Sequence, residues 1–140
     1  MLRKIEYLIP AALEAVDAVL VAKYGRDKIP AGYQSAVSGF GTTLLQMGLL
    51  PTLAVYTDKD SGAGIERDQL LKALLRIVKH KDSRFPEEKK ARIPDQMGAV
   101  LKEVAKREFP QQELKEHLLQ AAVAFKLAIR TYNTYKLKKP

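Results

Sequence analysis

His80 and His117 are the only imidazoles in a 140-residue chain that has no cysteine, so metal and nucleophile chemistry has few starting points. Without cysteine there is no zinc ribbon, no disulfide scaffold, no thiolate nucleophile and no thiolate-held cluster, a usage that fits a reducing cytoplasm. Glu113 and His117 stand four residues apart, one helical turn, where both could meet a metal; a second histidine at zincin spacing is missing, so a local helix pairing is the expected role. His80 falls between Lys79 and Lys81 where a helical pattern stops, and there an imidazole is expected to face the last helix carbonyls. Asp58 and Asp60 lie in a turn-like run, DKDSGAG, which suits a surface turn better than acid–base work. Neither a G-x-S-x-G elbow nor a phosphate-cradling glycine loop is present, and Gly39-Phe40-Gly41 has the wrong spacing inside a helical pattern. The expectation is a protein with no catalytic residue, metal or cofactor.

Binding has better-placed residues. Lys72, Arg76 and Lys79 recur at i, i+4 and i+7 on a face opposite a row of leucines, a spacing that can set three cations along a phosphodiester backbone. Lys81, Arg84, Lys89, Lys90 and Arg92 follow. The formal charge of +8 belongs to this half. Residues 1–70 carry 7 basic and 8 acidic side chains, net −1, whereas residues 71–140 carry 17 and 8, net +9. Clustered cations attract polyanions and release their counterions, so such contacts follow the backbone and do not read bases. A solvated, solubilising face is the competing explanation of the same residues. Aromatic residues are only 7% and tryptophan is absent, which supplies a base-stacking platform poorly.

The elements that must carry these residues read as helices throughout. From Ile5, the positions Leu8, Ile9, Ala12, Leu13, Val16, Val19 and Leu20 form one apolar face against Glu6, Glu14 and Asp17 on the other, with Gly25 as a stop and Pro10 as a kink or break. Pro30 is expected to open a second helix on Tyr33, Val37, Phe40 and Leu44. That helix contains Gly32, Gly39 and Gly41, which ask for close helix contact, because each glycine costs about 1 kcal/mol against alanine. Gly48 and Pro51 introduce a short helix through Tyr56. A regular helix from Ile65 buries Leu70, Leu71, Leu74, Leu75, Ile77 and Val78. Residues 81–95, with two prolines and mixed charges, read as a mobile basic loop. A further helix points Met97, Val100, Leu101 and Val104 inward, and Pro110 can open the last one. This runs from about Gln111 to Tyr135 with two opposed apolar stripes, one of Leu114, Leu118, Phe125, Ile129 and Tyr132, the other of Leu119, Val123 and Leu127. A helix apolar on both sides is the centre of a bundle or lends its second stripe to a subunit contact.

The whole is expected to be all-α, a single domain over residues 1–140 built as a bundle of about six helices. No signal peptide is read at the start, since Glu6, Glu14 and Asp17 interrupt the apolar segment that should follow Arg3 and Lys4. The charge-free run from Ile29 to Thr57 is 29 residues long but only 15 of them are apolar, so it reads as a buried segment of a cytoplasmic protein and not a membrane span.

Ile29-Pro30 through Tyr33, then Ser38-Gly39-Phe40-Gly41, then Gln46 through Tyr56 (QMGLLPTLAVY), together resemble the small all-helical subunit of the Cmr complex, the type III-B CRISPR RNA-guided effector. The likeness continues through Leu70, Leu71, Leu74 and Leu75. It implies a non-catalytic subunit that stacks in several copies along a filament, contacts other Cmr subunits including the large one, and helps hold guide and target RNA in antiviral defence. Family members tend to carry a tryptophan-containing basic motif in the last helix. This chain reads FKLAIRTY there, which leaves Lys126 and Arg130 as the basic residues to set beside Lys72, Arg76, Lys79, Lys81 and Arg84 as RNA-contacting candidates. An acidic first helix (Glu6, Glu14, Asp17) opposite a basic second half suits head-to-tail association between copies. The small subunit of type III-A effectors, and a free-standing helical nucleic-acid-binding regulator, are the alternatives. The latter would want a polar recognition helix, whereas the turn at Gly48 leads into an apolar one.

Overall fold

A computed structural model describes residues 5–57 and 65–132, with the backbone of 134 and 135. The first helical stretch is composite. A 3-10 turn at Glu6–Leu8 leads into α1 (Ile9–Ala15), a π-helical segment (Val16–Val21) and the single turn α2 (Ala22–Tyr24). Pro10 sits in the first turn of α1, where a missing N–H leaves no hydrogen bond unmade, so of the expected kink or break it marks the break, between the 3-10 turn and α1. Leu8, Ala11, Ala12, Ala15, Val16, Val19 and Leu20 are buried, a 3-and-1 spacing that runs through the π segment. Gly25, at φ +96°, ends the stretch in a backbone region that side chains rarely adopt.

Ile29 and Pro30 form β1, which pairs in parallel with β2, Thr134–Tyr135. Two paired residues have no periodicity to betray them, and a proline's fixed φ suits an edge strand. The second helix therefore starts after Pro30, as α3 (Gly32–Met47), and buries Tyr33, Val37, Phe40 and Leu44 as its spacing requires. Its glycines do not share one packing reason. A Cβ on Gly39 would lie 3.7 Å from the Tyr56 hydroxyl, and one on Gly41 would meet nothing within 4 Å. Gly48, at φ +87°, turns the chain into α4 (Leu49–Tyr56). Phe40 meets Tyr56 edge to face, with ring centroids 4.9 Å apart.

The helix α5 (Arg67–Lys79) buries all six of its expected apolar positions. Residues 81–95, expected as a loop, contain one helical turn, α6 (Glu87–Lys90), and insert Phe85 and Ile93 into the core. Two long apolar side chains in a highly charged run anchor it. In α7 (Met97–Val104), Val100 and Val104 are buried. The last helix, α8 (Gln111–Ile129), ends about a turn and a half before the expected Tyr135. There the Thr131 hydroxyl donates to the Ala128 carbonyl at 2.8 Å, and such local bonding competes with helix continuation.

Small residues let α8 sit at the centre. It packs on α1, α3 and α5 through Ala121, Ala122, Ala124 and Ala128 as well as Leu114, Leu118, Phe125 and Ile129. Its second stripe nonetheless lies at the surface: Val123 is 46% exposed, with Leu119 and Leu127 half-buried. The first stripe thus takes the central role expected for this helix, and the second faces outward. The fold is an all-α single-domain bundle.

Candidate nucleic-acid interface

The leucine face of α5 fixes where its basic residues point. With Leu71, Leu74, Leu75 and Val78 in the core, Lys72, Arg76 and Lys79 emerge together. They line a cleft of about 340 Å³ with Glu14 of α1, His80, Asp95 and an apolar floor of Leu75, Pro94 and Met97. Two of the three cations are already engaged. Arg76 donates to Glu14 Oε1 through Nε at 3.0 Å and lies 2.8 Å from the same oxygen through its second nitrogen. Lys79 Nζ donates to Asp95 Oδ1 at 2.8 Å and to the Ile93 carbonyl at 2.9 Å. The Lys79 ammonium holds the Asp95 carboxyl below its ordinary range. Lys72 forms no ion pair among the described residues.

His80 is placed otherwise than expected. Its ring turns away from the helix carbonyls: Nδ1 accepts the Asp82 backbone N–H at 3.0 Å and Nε2 lies 2.9 Å from Glu14 Oε2. With Nδ1 taken by the Asp82 N–H, Nε2 is the ring nitrogen that faces Glu14 in the cleft. The carbonyl of His80 is taken instead by Lys90. That residue is only 5% exposed, and its ammonium donates to His80 O at 2.7 Å, Ser83 O at 3.1 Å and Glu87 Oε1 at 2.6 Å. Three donors with three acceptors make the burial of this charge tolerable.

The other candidates are dispersed. Arg84 lies over the Tyr7 ring, 4.1 Å from its centroid, while Lys81 is exposed. Lys126 is half-buried on α8 and Arg130 exposed just past its end, and neither lines the cleft. Of the acidic first-helix residues, Glu6 is exposed, Glu14 is inside the cleft, and Asp17 lies 2.9 Å from the Tyr132 hydroxyl. The surface expected for RNA and the surface expected for a neighbouring copy therefore meet at Glu14. His117 pairs locally, its Nδ1 2.8 Å from the Glu113 carbonyl, with its ring against Phe85. No group of three or more metal-ligating side chains forms among the described residues; Asp58 and Asp60 lie outside them.

Sequence reasoning counted Lys90 among the binding cations where the fold buries it, and missed Asp95 and the inward role of His80. The turn His80-Lys81-Asp82, which supplies the N–H that orients the ring, was a local clue. Glu14 meeting Arg76, 62 residues away, left none.

Fold and cleft define a small helical protein that gathers nitrogen donors at one helix end, with no helix among the described residues long and apolar enough to cross a membrane. The family described as CRISPR-associated protein (Cas_Cmr5) matches over residues 9–129, and the chain belongs to that family. Membership makes it a subunit of the Cmr complex, the type III-B CRISPR effector. Comparison with curated proteins and with solved structures returned no match.

Proposed function

We propose that the chain is a non-catalytic small subunit that stacks with further copies along the Cmr filament, touches the large subunit, and helps hold the guide–target RNA through the end of α5. One observation carries the RNA part. Lys72, Arg76, Lys79 and the His80 ring line a single cleft, a set of nitrogen groups suited to phosphate oxygens and indifferent to base identity. Lys81 and Arg84 extend the same chain direction, and Lys126 and Arg130 offer a second basic strip. On the protein side, exposed Glu6 and the apolar Val123, Leu45 (65% exposed) and Met47 (53% exposed) support contacts with neighbouring subunits in the cytoplasm.

The test is the salt dependence of RNA binding by the complex reconstituted with wild-type chain or with Lys72→Ala, Arg76→Ala and Lys79→Ala. The plot of log K against log salt flattens by about 0.9 for each phosphate that is no longer neutralised. An unchanged slope would mean that this face is solvent surface or a protein contact. Free-standing, sequence-specific DNA binding by the chain alone would favour the regulator instead.

A further inference from the structure

We infer that Glu14 occupies a preformed phosphate site, its carboxylate marking where two oxygens of a phosphodiester or inorganic phosphate sit when the cleft is filled. This rests on the RNA reading above and adds a resident competitor to it. The geometry is that of an anion site already in use. One carboxylate oxygen is held by two guanidinium nitrogens at 2.8 and 3.0 Å, and the other lies 2.9 Å from His80 Nε2. The His80 ring and the backbone that carries Arg76 are positioned independently of Glu14. The His80 ring is oriented by the Asp82 N–H at 3.0 Å and its backbone by Lys90 at 2.7 Å, and Arg76 rises from a helix whose opposite face is core. Lys72 borders the same cleft and pairs with no carboxylate among the described residues, so an entering phosphate gains a cation that Glu14 does not use.

The exchange is cheap. The Glu14 side chain is 44% exposed and that of Arg76 is 52% exposed, and exposed ion pairs contribute little because water and salt screen them. Glu14 can swing into solvent on a side chain with three rotatable bonds while α1 stays packed. A phosphate entering the cleft replaces the Glu14 oxygens on Arg76 and His80 and adds Lys72, whereas Asp95 continues to hold Lys79. The net effect is a site that an anion fills only by displacing Glu14, which a polyanion engaging neighbouring cations at the same time does more readily than inorganic phosphate.

The experiment titrates the full chain with inorganic phosphate and, separately, with an unstructured single-stranded oligoribonucleotide, following the Arg76 Nε and His80 ring resonances. Glu14→Gln keeps the shape and removes the competing charge, and should tighten both probes about 1.5- to fivefold, the range set by an exposed ion pair. Glu14→Asp, with the charge retained but drawn back by one methylene, should tighten them less. Glu113→Gln makes the same charge change at an exposed position outside the cleft and should leave both affinities at the wild-type value. If either probe moves Arg76 and His80 but binds Glu14→Gln no tighter than wild type, Glu14 is no competitor and the inference falls while the RNA reading stands. If RNA binds and leaves Arg76 and His80 unmoved in every variant, the RNA reading of this cleft falls as well.

Discussion

Lys90 brings an ammonium into the interior and leaves none of its three donors idle, which makes it the most consequential charge in residues 81–95. Lys90→Met keeps the length and strands the carbonyls of His80 and Ser83, so it should cost about 2 kcal/mol or more in denaturant-unfolding stability. Lys81→Met, at an exposed position, should stay within about 0.5 kcal/mol. Equal midpoints for the two would deny Lys90 its anchoring role. Tyrosines add an alkaline limit. Burial pushes the Tyr33 hydroxyl well above its ordinary 10.0, and burial followed by the Asp17 hydrogen bond pushes Tyr132 up to about 12. A pKa raised on folding contributes stability that is complete below the unfolded value and is lost as pH rises through the folded one. Stability should therefore fall between pH 10 and 12, less steeply in Tyr132→Phe; a flat profile there would contradict the assignment. At this scale the sequence was a partial guide. It put Lys72, Arg76 and Lys79 on one face because three residues on one helix obey one geometry, but their partners Glu14 and Asp95 arrive from other elements, and nothing local announces them.

Helices were legible wherever a long apolar rhythm met a clean stop. All the core positions expected in α3 and α5 are buried, since 3.6-residue periodicity and burial are the same fact seen in one and three dimensions. The failures have local causes: a two-residue β pair is too short to have a period, and Thr131 diverts the end of α8. Residues 81–95 hid their anchors among charges. Their mobility is a separate matter, and amide exchange across 83–93 should be slow in the wild type and fast in Lys90→Met if the three Lys90 bonds hold the segment. The glycines of α3 give a second prediction. With open space where its Cβ would stand, Gly41→Ala should raise stability by about 0.5–1 kcal/mol. Destabilisation would reveal a close approach that the isolated chain does not make. Lys79 and Asp95 join α5 to the segment before α7, and the Asp95 carboxyl titrates below its unfolded value of 3.8. This contribution is present above that value and is lost as the pH falls through the folded one. Lys79→Ala should accordingly flatten the acid limb of the stability profile.

For the whole molecule, the charge split of −1 and +9 suggested two separate surfaces, an acidic helix for a neighbour and a basic stripe for RNA. Folding brings α1 against α5, so part of the acidic helix lies inside the basic site, and a global charge count cannot foresee which opposite charges become neighbours. The subunit contacts proposed above then rest on what stays outside: Glu6, the end of α3 and the outer stripe of α8. Val123→Glu and Met47→Glu, both at exposed positions, should leave the thermal midpoint of the isolated chain unchanged and lower its incorporation into the Cmr complex, as read by native mass spectrometry. Normal stoichiometry would move the contact elsewhere. The RNA claim is tested most directly by placing a photo-crosslinking residue at Lys72 in the assembled, RNA-loaded complex, with Glu113 as the comparison position. Crosslinks to RNA from position 72 and none from position 113 are the predicted result; crosslinks from position 72 to protein alone would contradict it.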